Sequence, residues 1–158
     1  MSIATFYRIS EIQAAKDFPA NALPLTKIPL PCRATAGSAG YDFVSPIAAT
    51  LAPNESLTIP TGIRAKMESG WVLMLFPRSS LGFKHNIQLA NTVGVIDSDY
   101  FLAANEGHIM VRLTNHGSHA VTIAQGDRFC QGVFLPYGLA EEETVEAMRQ
   151  GGMGSTGV

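Results

Sequence analysis

A chain of 158 residues is one domain with enough interior for a real core. Hydrophobic residues make up 46% and charged residues only 15%, which excludes a disordered chain and suggests that self-association covers part of the surface. A net charge of −2 gives no global basic field for nucleic acid, although a few local arginines suffice for one triphosphate.

No apolar run approaches a membrane span, and the N-terminus lacks an apolar leader, so a soluble cytoplasmic chain with no membrane partner is expected. The two cysteines, Cys32 and Cys130, show no CxxC spacing for zinc. Cys130 sits in an apolar run and reads as a small buried hydrophobe.

Along the chain, Ser10 and Gln13 fit a capping box, so a short helix should follow and stop before Pro19. This opening segment, residues 1–26, reads as an extension packed on the outside of the domain. From Lys27 the texture changes. Apolar runs at 57–59, 71–76, 87–89, 109–113, 120–123 and 129–135 alternate with Gly, Pro, Asn and Ser. That rhythm predicts an all-β sandwich or barrel over residues 27–140. Pro29, Pro31, Pro46, Pro53, Pro60 and Pro77 should mostly bound strands, where a missing N–H matters least. Residues 141–149 could form a turn or two of exposed helix, and 151–157 are too Gly-rich for regular structure. Residues 141–158 therefore form a C-terminal arm.

Five segments carry chemistry. Asp42, after Gly37 and Gly40 and between Tyr41 and Phe43, is either a turn acid or an acid that holds a hydrated cation. Arg78, Ser79 and Ser80 follow an apolar strand and Pro77. A guanidinium fork, two hydroxyls and backbone N–H groups suit a polyphosphate, and the plainer alternative is a helix start. Asn91 offers a donor and an acceptor that match a pyrimidine edge, or it serves a turn.

Next, Gly94-Val95-Ile96-Asp97-Ser98-Asp99-Tyr100 puts two carboxylates and a ring in an apolar stretch. It predicts a tight hairpin with one acid aimed into a pocket, because a charge beside Val and Ile is costly without a partner or a job, and the plainer alternative is a buried turn that satisfies its own backbone. Gln131, in the run Arg128-Phe129-Cys130-Gln131, needs partners that either phosphate or backbone could provide. Finally, Arg149, Met153, Ser155 and Thr156 lie in a Gly-rich tail that either wraps a phosphate or is an ordinary terminus. It is not a P-loop. His85, Lys84, His116 and His119 read as surface residues.

Taken in order, these five motifs resemble the trimeric dUTPase (deoxyuridine triphosphate nucleotidohydrolase) family, from about Lys27 to Val158. The resemblance implies a β jelly roll in a homotrimer with exchanged C-terminal arms and shared active sites. The implied reaction is hydrolysis of dUTP to dUMP and pyrophosphate, which limits uracil in DNA and supplies dUMP. By that resemblance, Asp97 activates the water. Asn91 and the backbone near Gly94, Val95, Ile96 and Met110 read uracil, and Tyr100 packs under the deoxyribose. Arg78, Ser79, Ser80 and Gln131 hold phosphates, and the tail closes over the nucleotide, with Arg149, Ser155 and Thr156 toward the phosphates and Met153 covering the base. Asp42 binds Mg2+ through water, in keeping with that ion's taste for waters and few protein ligands.

The chain departs from the family pattern in three places. Residues 101–105 lengthen the hairpin, Met153 replaces a usual Phe, and Gln150 follows Arg149 where Gly is usual. Two alternatives follow. A dCTP deaminase of the same fold would need a glutamate where Arg112 stands. A regulatory, phage-type member would use residues 101–105 and the N-terminal segment to dock a protein partner.

Overall fold

The computed structural model describes residues 2–141. In chain order the first elements are β1 (Ala4–Arg8), α1 (Glu11–Asp17), β2 (Cys32–Arg33), β3 (Tyr41–Val44), β4 (Ala49–Leu51), β5 (Ser56–Pro60) and β6 (Ile63–Met67). There follow β7 (Trp71–Pro77), α2 (Ser79–His85), β8 (Ile87–Leu89), β9 (Gly94–Ile96), β10 (Met110–Asn115), β11 (Val121–Ile123) and β12 (Arg128–Pro136). Short 3-10 segments occupy Leu25–Lys27 and Ser98–Leu102.

The strands form sheets in the orders β2-β3-β12-β7-β9, β5-β10-β8, β1-β6 and β11-β4, and every described pairing is antiparallel. This is the all-β, jelly-roll class expected. The cause is visible strand by strand. In β10, Val111, Leu113 and Asn115 are buried while Arg112 is exposed, and in β6 Ile63, Ala65 and Met67 point inward past Lys66. A period of two places one face of each strand in the core. Phe43, Leu73, Leu75, Ile96 and Phe129 from the large sheet join Ile59, Ile87, Val111 and Leu113 in one cluster. Cys130 is fully buried there, and burial pushes its thiol far above the ordinary range, so it stays a neutral hydrophobe. Pro60, Pro77 and Pro136 end their strands.

Helix α1 begins and ends as expected. Ser10 Oγ accepts from the Gln13 N–H at 3.1 Å. The reciprocal half of the capping box differs, because Gln13 donates to Asp17 at 2.8 Å. Glu106 takes that role instead, accepting from the Ser10 N–H at 2.8 Å.

The opening segment does not sit outside the domain. β1 pairs with β6 over five residues, and Ile9, Ala14 and Leu25 belong to the core. Burying these apolar groups draws the segment into the core.

The expected tight hairpin around Asp97 is also absent. β9 pairs with β7, whereas β10 pairs with β5 and β8, so the chain crosses between two sheets. The crossing runs through the 3-10 segment Ser98–Leu102 and a turn at Glu106 and Gly107, both with positive φ (60° and 71°). A Cβ at Gly107 would lie 2.6 Å from the Tyr100 carbonyl oxygen, so the route demands glycine. Residues 142–158 lie outside the described residues, and with them most of the expected arm and Arg149, Met153, Ser155 and Thr156.

Candidate active site

The turn after β8 starts one wall of the site. Thr92 N–H donates to Leu89 O (2.9 Å) and Val93 N–H to Asn91 O (2.7 Å), which puts Thr92 at φ 68°. A β-branched residue there is strained by about 1–3 kcal/mol, and such strain persists only where the surroundings over-determine it. The turn delivers the chain to β9, where Gly94 lies opposite Leu75. A Cβ at Gly94 would meet Leu75 Cβ at 3.0 Å, so glycine lets β9 close on β7.

β9 is the last strand of its sheet, which leaves its outer backbone edge unpaired within that sheet. Asp97 follows in extended conformation at the N-cap position of the 3-10 segment. Tyr100 sits in that segment, 1% exposed, and its hydroxyl is fixed twice. It donates to His108 O and accepts from Asn105 Nδ2, both at 2.8 Å.

A cavity of about 590 Å3 gathers Asn91, Gly94, Val95, Ile96, Asp97, Tyr100 and Met110. All seven were singled out in sequence, and the volume suits a small ligand. β8 pairs with β10 only along Leu113–Asn115, so the Met110 end keeps an edge toward this space. Arg112, two residues on, lines the same cavity.

The polyphosphate candidates form a second group. Arg78 is the N-cap of α2, with its N–H held by Phe129 O at 3.1 Å, and Ser79 and Ser80 are exposed in the first turn. Asp42 in β3 pairs in register with Gln131 in β12. The Gln131 side chain lies so close over Gly40 that a Cβ there would meet its Oε1 at 2.6 Å. Asp42 is 11% exposed and faces two guanidinium groups, Arg128 Nη1 at 3.0 Å and Arg78 Nε at 3.7 Å.

Arg128 was missed as a site residue, although it opens the very motif that named Gln131. A hollow of about 410 Å3 is lined by Arg78, Ser80, His85 and Arg128. His85 was also read only as surface. None of the residues lining this hollow lines the 590 Å3 cavity, so the two groups of candidates face different hollows of the chain.

Among the described residues no three His, Cys, Asp or Glu side chains cluster to cage a metal. A lone, largely buried carboxylate beside two arginines that could hold phosphates fits Mg2+, which uses one or two carboxylates together with substrate phosphates and waters.

Comparison with known proteins identifies the family. The dUTPase family model matches residues 26–158. The chain is 43% identical over 133 residues to a deoxyuridine 5'-triphosphate nucleotidohydrolase of Lactococcus lactis, covering 82% of this chain and 89% of that protein. It is 43% identical over 135 residues to one from Shewanella piezotolerans, covering 84% and 86%. The crystal structure of the dUTPase from Streptococcus mutans superposes with a TM-score of 0.69 at 36% identity, covering 86% of this chain and 98% of that one. The dUTPase of the Staphylococcus aureus phage phi11 shares the fold at 21% identity, with a TM-score of 0.68 over 93% and 98%. By the extent of these matches, this chain belongs to the dUTPase family.

Proposed function

We propose that the chain hydrolyses dUTP to dUMP and pyrophosphate by attack of water on the α-phosphorus, with copies of the chain completing each site. The observation that carries this is the single cavity uniting Asn91, Asp97, Tyr100 and the free edge of β9.

The Asn91 amide and the backbone of Gly94, Val95, Ile96 and Met110 read the uracil edge. Fixed donors and acceptors leave groups unpaired when cytosine presents an amine, which is how such sites discriminate. Tyr100, pinned at its hydroxyl, is a rigid floor under the deoxyribose that leaves no room for a 2′-hydroxyl.

Asp97 orients a water and takes its proton as the water oxygen bonds to the α-phosphorus. The bond from that phosphorus to the bridging oxygen breaks, and pyrophosphate leaves. Arg78, Arg128, Ser79, Ser80 and Gln131 hold the phosphates. Positioning and charge neutralisation are most of what phosphoryl transfer needs. Asp42 would hold a hydrated Mg2+, which when bound would supply charge neutralisation for the triphosphate.

The separation of the two half-sites on one chain supports a homotrimer in which one copy supplies the uracil cavity and another the phosphate residues. Residues 27–140 are then the catalytic domain and 141–158 an arm that closes the site through Arg149, Met153, Ser155 and Thr156. That part rests on the family pattern. Among the described residues no helix is long and apolar enough to cross a membrane, and a cytoplasmic enzyme is the reading we adopt.

Deamination is disfavoured by Arg112 in the cavity, because a guanidinium cannot shuttle protons at a base. A regulatory docking role for residues 101–105 has less support, since Ala103 is buried and Asn105 is bonded to Tyr100. Pyrophosphate release from dUTP and ammonia release from dCTP, measured side by side, test the reading. Pyrophosphate alone is expected, and ammonia from dCTP would replace hydrolysis with deamination.

A further inference from the structure

Two segments outside the five motifs touch each other. The family match begins at residue 26, so β1 and α1 lie outside it, and residues 101–105 lengthen the crossing that carries Asp97 and Tyr100.

The contacts between them are specific. Glu106 accepts from Ser10 twice, from the N–H at 2.8 Å and from Oγ at 2.6 Å. The Tyr7 and Phe101 rings lie 5.8 Å apart. Arg64 of β6, the strand that β1 pairs with, donates to Phe101 O at 2.6 Å and stacks 3.7 Å above its ring.

Deepest of all, Asp17 lies 2.6 Å from Nδ1 of His108, whose side chain is fully buried. The Gly62 N–H donates to His108 Nε2 at 2.8 Å, so Nε2 accepts and the ring proton sits on Nδ1, facing Asp17. Burial of the ring favours this neutral form. The His108 carbonyl in turn accepts the Tyr100 hydroxyl, and Asn105 donates to the same hydroxyl while its Oδ1 receives the Gly107 N–H at 3.2 Å.

We propose that the N-terminal segment and the 101–108 loop form one brace that fixes Tyr100, with Asp17, His108 and Asn105 as positioning residues for sugar selectivity. The inference rests on the reading that Tyr100 excludes the 2′-hydroxyl. Asp17 and His108 touch no substrate in this account. They act by holding the backbone to which the Tyr100 hydroxyl is tied. A side chain 1% exposed with its polar tip bonded twice cannot move unless that backbone moves.

The test compares kcat/KM for dUTP and for UTP in full-length Asp17→Ala, Asp17→Asn, Asn105→Ala and Tyr100→Leu, each checked for folding by its thermal transition. Asp17→Ala and Asn105→Ala should lower the dUTP to UTP ratio by about 10-fold or more, since small misplacements in a site are costly. Asp17→Asn keeps an acceptor for the His108 proton and should retain the wild-type ratio. Inhibition by pyrophosphate should not change in any of them, because the phosphate residues lie in the other half of the site.

If Tyr100→Leu loses selectivity while folded Asp17→Ala and Asn105→Ala keep it, the brace is structural only and the inference is wrong. If Tyr100→Leu itself keeps selectivity, the reading of Tyr100 as the sugar floor fails instead.

Discussion

Asp42 accepts a hydrogen bond from Arg128 at 3.0 Å, joining β3 to β12 across 86 positions of sequence. With Arg78 Nε 3.7 Å from its other oxygen, the carboxylate lies between both guanidinium groups, and in the proposed mechanism it also faces the hydrated Mg2+. The Asp42→Asn variant should need more Mg2+ for half-maximal rate, by roughly 10–100-fold as for other outer-sphere partners. A Mg2+ titration of initial rates measures this. An unchanged midpoint would remove Asp42 from the metal's surroundings.

Asp97 is assigned the water and no phosphate contact. Asp97→Asn should keep dUTP affinity and lose about 10²–10⁴-fold in kcat, the span of general-base catalysis. Calorimetric binding beside single-turnover hydrolysis separates the two effects. Wild-type turnover in the variant would exclude Asp97 as the base.

Gly107 has φ +71°, and a Cβ there would lie 2.6 Å from Tyr100 O and 2.7 Å from Phe101 Cα. Both neighbours are backbone, so neither can swing aside. Gly107→Ala should destabilise the fold by about 1–3 kcal/mol and lower activity with it. Urea unfolding gives the first number, and an unchanged midpoint would mean the turn adapts freely.

Acid should weaken the fold in a predictable window. Burial holds the His108 pKa below its ordinary 6.5, although Asp17 pulls the other way. The unfolded chain therefore takes up this proton first as pH falls. The stability from neutral His108 is complete above about 6.5 and is lost as pH drops through the lower, folded value. Protonation also removes the acceptor for the Gly62 N–H.

Glu106, held down chiefly by its hydrogen bonds from Ser10, has the same sign in a lower window. In Asp17, burial raises the pKa but the bonds from Gln13 and His108 outweigh it, so its sign is also the same. Thermal transitions should fall steadily from pH 7 to pH 5, and a transition that rises toward acid would contradict the His108 assignment.

The tail carries the last prediction. Truncation after Arg149 should leave the oligomer intact and cripple hydrolysis, because it removes Met153, Ser155 and Thr156. Size-exclusion chromatography with an activity assay checks both halves, and an unchanged rate would make the tail dispensable.

What the sequence disclosed, and what it withheld, follows from the range of the interactions. Alternation in β10 and β6 marks strands locally, and the motifs mark Asn91, Asp97, Tyr100 and Met110, which the fold gathers in one cavity. Strand pairing is not local. Nothing near Gly94 states that β9 joins β7 while β10 joins another sheet, and this turned an expected hairpin into a crossing. Ser10 reaches Glu106 across 96 positions, so the capping partner was sought in Gln13, the neighbour that happens to bond Asp17. β1 alternates only weakly, since it has partly buried Ala4 and Phe6 between exposed neighbours, and it reads as a strand only once β6 is beside it.

The most direct measurement is pyrophosphate release from dUTP, dCTP, dTTP and UTP in parallel, with Mg2+ and with EDTA. The cavity with its fixed edges and pinned Tyr100 predicts fast release from dUTP alone, dependent on Mg2+. Equal release from UTP would contradict the sugar floor, equal release from dCTP the uracil edge, and no release from any nucleotide the assignment of this site as a hydrolase.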